Sequence, residues 1–301
     1  MKSLLIIGGS GLVGTSLIKL ACNSMNVFFT YNNNPFKTSK AKGSFINLLN
    51  NDGAISKLIK SICPDVVVNT AAYQNVDYCE EKPDMANLLH VKSTEEISLA
   101  CLDTSSKLIH FSSNFVFDGK KGFYNENDSP NPISHYGKTR LDAEKIVLEK
   151  SAQNVVLRTT VIYGWHKNSK FTNFVLKQLK NNLNVNAFTD QYGNPTLADD
   201  LASCIMKIIS TNTKGLFNAV GKSCVNRYEF AKSISEKFGY NTKLIYPTLS
   251  SQKKQIALRP ENGCLDTSKI ESELKFDFCD IETGINQIYN EYVRNNQKFD
   301  F

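Results

Sequence analysis

The chain has 301 residues, of which 41% are hydrophobic and 21% are charged. A chain of this length can bury a large core and form one large or two moderate domains. The formal net charge of +6 is spread along the sequence without a basic cluster interleaved with aromatic residues, which argues against nucleic-acid binding. No segment approaches the roughly 20 apolar residues of a membrane span, and the N-terminal apolar run is too short for a signal peptide. The sequence therefore predicts a cytoplasmic protein without a membrane segment.

The chain contains eight cysteines, and none of them forms a C-x-x-C pair. No spacing of cysteine and histidine is typical of a zinc site. In a cytosolic chain of this length, such cysteines are expected to be reduced and mostly buried. We expect neither disulfides nor a bound metal.

Short apolar runs alternate with helical patterns through the first half of the chain. The runs are rich in β-branched residues and continuous, as in parallel strands that are buried on both faces. The predicted strands are residues 4–8, 27–31, 44–47, 65–70, 107–112 and 155–159, and the predicted helices are residues 12–22, 54–62, 84–102 and 133–149. This alternation predicts a doubly wound parallel α/β sheet with right-handed crossovers.

A glycine-rich segment joins the first predicted strand to the first predicted helix. It matches both G-x-G-x-x-G and G-x-x-G-x-x-G, which in this position are typical of the turn that binds the pyrophosphate of a dinucleotide in a Rossmann fold. The free N–H groups and the positive dipole end of the helix would face the phosphates. The residues predicted to bind the cofactor here are Gly8, Ser10, Gly11, Leu12, Val13 and Gly14.

The second predicted strand ends at Thr30-Tyr31-Asn32 without a carboxylate. An NAD-selective site places Asp or Glu there to accept hydrogen bonds from the ribose 2′-hydroxyl. Its absence removes a charge that would repel a 2′-phosphate, so NADP(H) is predicted to be preferred, with NAD(H) also accepted. No arginine lies nearby in the sequence, and Thr30, Asn32 or Lys37 would hold the phosphate only weakly.

After residue 160 the pattern becomes mixed. Helices are predicted at residues 171–180, 197–209, 228–238 and 281–294, with short strands such as residues 215–219 between them. We predict a dinucleotide-binding Rossmann domain at residues 1–160. It is followed by a smaller mixed α/β domain at residues 161–301. This second domain is predicted mainly to bind the substrate and to be partly interleaved with the first.

Several segments in the same order resemble the dTDP-4-dehydrorhamnose reductase family of extended short-chain dehydrogenases/reductases. They are residues 69–77, 110–119, 136–140, 157–164, 190–196, 258–260 and 265–268. The resemblance covers nearly the whole chain. The chain is also similar to the non-catalytic, NADP-binding β subunit of methionine adenosyltransferase.

The first resemblance implies the reduction of a keto sugar that is linked to a nucleotide. Tyr136 would donate a proton to the carbonyl oxygen, and the Ser113 hydroxyl would orient that oxygen. Position 140 holds Arg where the family has Lys. Arg140 keeps a positive charge on the same helix face as Tyr136 and could reach the ribose, but it cannot relay a proton.

The resemblance extends to other positions of the site. Further cofactor-binding residues would be Tyr31, Asn47, Leu48, Ala71, Ala72 and Tyr73, together with Tyr136 and Arg140. The substrate would contact Val76, Asp77, Ser113, Asn114, Phe115, Gln191, Tyr192 and Arg259, the last through a diphosphate. Ser16 stands where some members have a magnesium-binding glutamate, which again predicts no metal.

Two hypotheses about function follow. The first is an NAD(P)H-dependent reductase of a nucleotide-linked 4-keto-6-deoxy sugar, such as the family uses in dTDP-rhamnose biosynthesis. The second is a cofactor-binding regulatory subunit that has lost turnover. The expected partners are a nucleotide-sugar substrate and, for assembly, a second copy in a homodimer.

Overall fold

The computed structural model describes residues 1–35 and 38–295, and a seven-stranded parallel sheet lies at its centre. The strands are β1 (Ser3–Ile7), β2 (Asn26–Tyr31), β3 (Lys42–Phe45), β4 (Val66–Asn69), β5 (Lys107–Ser113), β6 (Val155–Thr159) and, later in the chain, β11 (Gly215–Asn218). Their order across the sheet is β11-β6-β5-β4-β1-β2-β3. The order reverses beside β1, as in a doubly wound sheet. The predicted Rossmann α/β fold is confirmed.

Helices cover both faces of this sheet because alternate side chains of each strand point to opposite sides. In β1, Leu4 and Ile6 belong to one apolar core and Leu5 and Ile7 to the other. Helices α1 (Leu12–Ala21), α8 (Ala198–Thr211) and α10 (Ser268–Leu274) contribute to the first core. Helices α2 (Ala54–Ile62), α5 (Ser93–Asp103) and α6 (His135–Lys150) contribute to the second.

A second lobe has its own apolar core. It is built on α7 (Lys170–Lys180), α9 (Arg227–Lys237), α11 (Ile281–Arg294) and the parallel pair β8 (Val185–Phe188) and β13 (Ile245–Thr248). The short strands β7 (Ile162–Tyr163), β9 (Tyr192–Gly193), β10 (Thr196–Leu197) and β12 (Val225–Asn226) form two further pairs, β7 with β10 and β9 with β12.

The chain passes repeatedly between the sheet and the second lobe. After the first segments of that lobe it returns to the sheet as α8 and β11, and it returns once more as α10. The predicted strand at residues 215–219 is therefore the edge strand of the main sheet, paired with β6. The domain division at residue 160 stays a prediction.

The helix predicted at residues 84–102 is present without a break, but it contains a π-helical turn. It comprises α4 (Pro83–Asn87), the π-helical turn at Leu88–Lys92, and α5, and an additional helix, α3 (Val76–Glu81), precedes it. Hydrophobic periodicity does not distinguish a single π turn from the α-helix around it, and such turns are often found at functional sites.

The expectation that all cysteines are reduced is wrong for two of them. Cys224 and Cys264 form a disulfide, and the other six cysteines are free. The two partners are 40 residues apart, so their proximity depends on how two distant loops fold together. Sequence spacing carries no signal for such a pair.

Candidate functional site

A cleft of about 940 Å³ lies at the carboxyl ends of the sheet strands and extends to the second lobe. Such crevices are the usual ligand sites of doubly wound sheets. The predicted site residues that line it are Gly8, Ser10, Gly11, Leu12, Val13, Tyr31, Asn47, Leu48, Ala71, Ala72, Tyr73, Val76, Ser113, Asn114, Phe115, Tyr136, Arg140, Gln191, Tyr192 and Arg259. Gly14 and Asp77 are not among its lining residues.

The glycine turn is held by hydrogen bonds from its backbone. The N–H of Gly8 donates to Thr30 Oγ1 at 3.2 Å, and the N–H of Gly9 donates to the Thr30 carbonyl at 2.8 Å. A Cβ at Gly14 would lie 2.6 Å from the Gly8 carbonyl oxygen. Gly14 therefore allows the first turn of α1 to pack under the loop, and it supports the site from behind rather than lining it.

The end of β2 offers the cleft neutral groups. Thr30 is buried, and its hydroxyl already accepts the hydrogen bond from Gly8. Asn32 is exposed and lines the cleft. Among the three residues suggested for a 2′-phosphate, Asn32 is thus the most accessible, and Lys37 lies outside the described residues.

Asn47 holds a short 3₁₀ turn at the rim of the cleft. Its Oδ1 accepts a hydrogen bond from the Leu49 N–H at 3.1 Å, and its Nδ2 donates to Asn50 Oδ1 at 2.9 Å. The strand predicted at residues 44–47 ends earlier, at Phe45. Asn47 is thus a helix cap as well as a lining residue.

The end of β5 places Ser113 in the cleft. Its hydroxyl accepts a hydrogen bond from the Phe115 N–H and donates to Asn114 Oδ1, both at 3.3 Å. Asn114 is buried, and its Nδ2 donates to the Gly263 carbonyl at 2.9 Å. The Asn114 amide therefore joins the end of β5 to the loop that follows Arg259. A bound substrate would find the Asn114 Nδ2 group already hydrogen-bonded to the Gly263 carbonyl.

Tyr136 lies in the first turn of α6 and lines the same cleft. The Ser134 side chain caps this helix by accepting from the Gly137 N–H at 3.2 Å. A Cβ at Gly137 would overlap the Phe115 carbonyl oxygen, so glycine lets α6 approach the loop after β5. The Phe115 ring contacts the Tyr136 ring edge to face, with centroids 5.3 Å apart. These contacts bring Tyr136 and Ser113 to one part of the cleft.

Arg140 is buried beneath this part of the cleft, with 2% of its surface exposed. Its Nη2 donates a hydrogen bond to the Phe111 carbonyl. Its Nε and Nη1 have no partner among the described residues. A buried donor without a partner costs free energy, so these two atoms mark a place where a bound ligand could accept hydrogen bonds.

His90, interpreted from the sequence as a structural or solvent-facing histidine, connects two parts of the site. It lies in the π-helical turn and is fully buried. The Tyr73 N–H donates to Nε2 at 3.0 Å, so the ring proton is on Nδ1, which donates to Thr139 Oγ1 at 2.8 Å. Burial, with the charge of Arg140, lowers the pKa of His90 to about 2. The histidine is therefore neutral, and it ties the loop after β4 to the helix that carries Tyr136.

Arg259 is bound by a carboxylate of this chain. Its Nη1 lies 2.9 Å from Asp77 Oδ1 and also 2.9 Å from the Ala257 carbonyl. Asp77 Oδ1 further accepts hydrogen bonds from the N–H groups of Ile256 and Ala257. Burial raises the pKa of Asp77, but the hydrogen bonds and charge of Arg259 and these N–H groups outweigh it and leave that pKa below its usual value. Asp77 thus fixes the loop that contains Arg259, and its contact with a substrate stays a prediction.

A buried ion pair lies behind the cleft, and the sequence did not predict it. Glu144 of α6 pairs with Arg158 of β6 at 2.8 Å, and each side chain is 3% exposed. Glu144 also accepts a hydrogen bond from the Ser112 hydroxyl. Acidic residues are common in helices, and the sequence carried no sign that this one faces inward.

The described residues contain no helix long and apolar enough to cross a bilayer. Over the same part of the chain, no three or more His, Cys, Asp or Glu side chains gather in a way that could hold a metal ion. Fold and cleft thus define a Rossmann-fold protein with a glycine turn, a serine and a tyrosine at one ligand site.

Comparisons with known proteins specify the family. A family model described as the RmlD substrate binding domain matches residues 1–294. A dTDP-4-dehydrorhamnose reductase of Aggregatibacter actinomycetemcomitans is 31% identical over 90% of this chain and 92% of that protein. The methionine adenosyltransferase 2 subunit beta of Rattus norvegicus is 32% identical over 90% of this chain and 82% of that protein.

A solved structure described as a hypothetical dTDP-4-dehydrorhamnose reductase from Sulfolobus tokodaii superposes with a TM-score of 0.84. It is 31% identical, and the match covers 94% of this chain and 98% of that one. The chain belongs to the dTDP-4-dehydrorhamnose reductase family. The expected family resemblance and the expectation of an oxidoreductase are confirmed.

Proposed function

We propose that the protein is an NAD(P)H-dependent reductase of a nucleotide-linked 4-keto-6-deoxy sugar. The observation that carries this proposal is that Ser113 and Tyr136 line the same cleft as the glycine turn. A carbonyl held there would meet two hydroxyl groups, one to donate a hydrogen bond to its oxygen and one to supply a proton. Family membership supports the choice of substrate class.

The residues present fit a nicotinamide dinucleotide. The cleft is bordered at the start of α1 by Gly8, Ser10, Gly11 and Leu12, where N–H groups of the helix terminus can bind a pyrophosphate. The partnerless Nε and Nη1 of Arg140 are suited to ribose hydroxyls. When bound, the reduced cofactor would supply a hydride to the carbonyl carbon.

The chain's own residues would direct the proton. Tyr136 would donate it to the carbonyl oxygen. The Ser113 hydroxyl, which donates to Asn114 Oδ1 at 3.3 Å, would turn from that acceptor to donate a hydrogen bond to the carbonyl oxygen and orient it. In the reductive direction the tyrosine must begin protonated in order to act as the acid. Arg140 would hold the ribose, and its bond to the Phe111 carbonyl would fix it behind the site.

The test is the oxidation of NADPH and NADH with a panel of nucleotide-linked 4-keto sugars. Turnover of at least one member that depends on Tyr136 is expected. Protein that binds the cofactor but oxidises it with no member of the panel would contradict the proposal.

The cofactor is proposed to be NADP(H) in preference to NAD(H), by about tenfold or roughly 1.4 kcal/mol. Asn32→Asp is expected to reverse this order, because a carboxylate there gains hydrogen bonds from a ribose and repels a 2′-phosphate. Asn32 is substituted rather than Thr30, because the Thr30 hydroxyl supports the glycine turn. Calorimetry of NADPH and NADH measures both affinities.

Asn26→Asp is the matched control, since Asn26 is exposed at the opposite end of the same strand. It adds the same charge and should leave both affinities unchanged. If the wild-type protein already binds NADH more tightly than NADPH, the interpretation of the β2 end is wrong.

A regulatory subunit is the second candidate, and Arg140 in the lysine position favours it. For an active reductase, Arg140→Lys should change turnover by about tenfold or less, because either residue supplies a positive charge near Tyr136. For a regulatory relative, the same change would create or strongly raise turnover. Lys138→Arg, at an exposed neighbouring position, is the control, and steady-state kinetics with the panel decides between the two.

We also propose that the protein is located in the cytoplasm and forms a homodimer. In the cytoplasm the disulfide between Cys224 and Cys264 is expected to be reduced, because cytosolic proteins seldom keep disulfides. Thiol labelling of the protein inside cells, followed by denaturation, would report the state of this pair, and light scattering of the purified protein would give the assembly.

A further inference from the structure

The strongest candidate outside the residues already assigned is an arginine at the far end of the cleft. The chain has five arginines. Four of them bond to named groups: Arg140 to the Phe111 carbonyl, Arg158 to Glu144, Arg259 to Asp77 and Arg294 to Glu291. Arg227 alone makes no hydrogen bond or ion pair with any described residue.

The fold places Arg227 in a defined position. It is the first residue of α9, and Asn226 and Glu229 form a reciprocal capping box at this helix start. The Glu229 carboxylate accepts from the Asn226 N–H at 3.0 Å. The nearest acidic side chain in the sequence is therefore engaged with the backbone and leaves Arg227 without a counter-ion.

The guanidinium of Arg227 lies on an aromatic surface. Its Cζ is 5.3 Å from the centroid of the Phe171 ring, which in turn stacks on Phe230 in the second lobe. Such a contact holds the flat guanidinium while leaving its N–H donors free to bind an anion bidentately. Arg227 also lines the cleft.

The electrostatics of this end favour an anionic ligand. Burial, assisted by the charge of Arg259, lowers the pKa of Arg227 to about 10. Arg259 lines the same part of the cleft, but Asp77 compensates its charge at 2.9 Å. Arg227 therefore carries a positive charge that no acidic side chain of the described residues compensates, and it does so at a half-buried position, whereas Lys170 at the same cleft is exposed. A half-buried cation without a partner gains most from a ligand that brings the opposite charge.

We propose that Arg227 is the principal anion-binding residue of the substrate end and contacts the diphosphate of a nucleoside-diphosphate-linked substrate. This inference rests on the proposed function, because the glycine turn would take the phosphates of the dinucleotide and leave this second site to the substrate. It assigns the diphosphate to Arg227 ahead of Arg259, which the sequence had favoured. Arg259 then orders the loop beside the substrate through its pair with Asp77.

The experiment measures dTDP, UDP and thymidine binding by calorimetry, with NADPH at saturation to fill the other end of the cleft. For Arg227→Gln, the Kd of dTDP and of UDP should rise by about 10- to 100-fold, as expected for lost hydrogen bonds to a charged group. The Kd of thymidine should change by less than about threefold. Arg227→Lys keeps the charge but not the planar fork, so a smaller rise is expected.

Arg294→Gln is the matched control, because it removes the same charge from an exposed pair on α11. Its dTDP affinity should equal that of the wild-type protein. Unchanged NADPH affinity in each variant shows that its fold is intact. If Arg227→Gln does not fold, the nucleotide affinities of Arg227→Lys are compared with those of the wild-type protein.

Wild-type affinity of Arg227→Gln for dTDP and UDP would overturn the inference, as would an equal loss of thymidine binding. Failure of the wild-type protein to bind dTDP or UDP would overturn it too. Failure to bind NADPH would count against the proposed function alone, since the nucleotide comparison can be repeated without the cofactor.

Discussion

Tyr136→Phe is expected to lower kcat by about 10²- to 10⁴-fold, which is the range for loss of a general acid. The substitution removes only the hydroxyl group. The ring keeps its edge contacts with Phe115 and His90, at centroid distances of 5.3 and 5.5 Å. NADPH affinity should therefore change little. Steady-state oxidation of NADPH and a fluorescence titration of the cofactor measure the two quantities separately.

Tyr246→Phe serves as the control for this substitution, because Tyr246 is 46% exposed and lies on β13, away from the cleft lining. It should retain wild-type turnover. If Tyr136→Phe kept more than about a tenth of the wild-type kcat, the proton would have to come from another group, and the assigned role of Tyr136 would be wrong.

Glu144→Ala is expected to lower the free energy of unfolding by about 3–5 kcal/mol. The change leaves the Arg158 guanidinium buried without its counter-ion, since Glu144 pairs with both Arg158 Nε, at 3.0 Å, and Nη2, at 2.8 Å. It also removes the acceptor for the Ser112 hydroxyl beside Ser113. Urea unfolding followed by circular dichroism gives the difference.

Glu149→Ala provides the comparison on the same helix, where the side chain is exposed. An exposed substitution of this kind usually changes stability by no more than about 0.5 kcal/mol. A loss below about 1 kcal/mol for Glu144→Ala would mean that water reaches the pair and that it is not buried as described.

Local sequence patterns predicted most of the sheet. β6 was predicted at its observed bounds, and the glycine turn lies where the first strand meets the first helix. Continuous apolar runs and a glycine cluster are local signals, and they suffice where a strand is buried on both faces. For α11 the local signal is the recurrence of apolar residues on one side of the helix, and both ends of this helix were predicted where the structure has them.

The parts that were missed depend on contacts between distant segments. Asp77 and Arg259 are 182 positions apart in the sequence, and nothing near either one indicates that they pair. The roles of His90 and Glu144 likewise arise from what packs against them, and the disulfide arises from two loops that meet only in the fold. Family resemblance identified the residues at the cleft, but it carried no information on which of their atoms are already bonded within the chain.

The repeated passage of the chain between the sheet and the second lobe limits how the protein can be divided. A fragment that ended at residue 160 would lack α8, whose Leu201 and Ile205 are fully buried in the same core as α1. It would also lack β11, which leaves the edge of β6 unpaired. The second lobe therefore cannot be moved to another protein as one continuous segment. Exchanging it between relatives would need several junctions at once, and substrate preference in this architecture is more readily altered by single residues along the cleft than by recombination of whole segments.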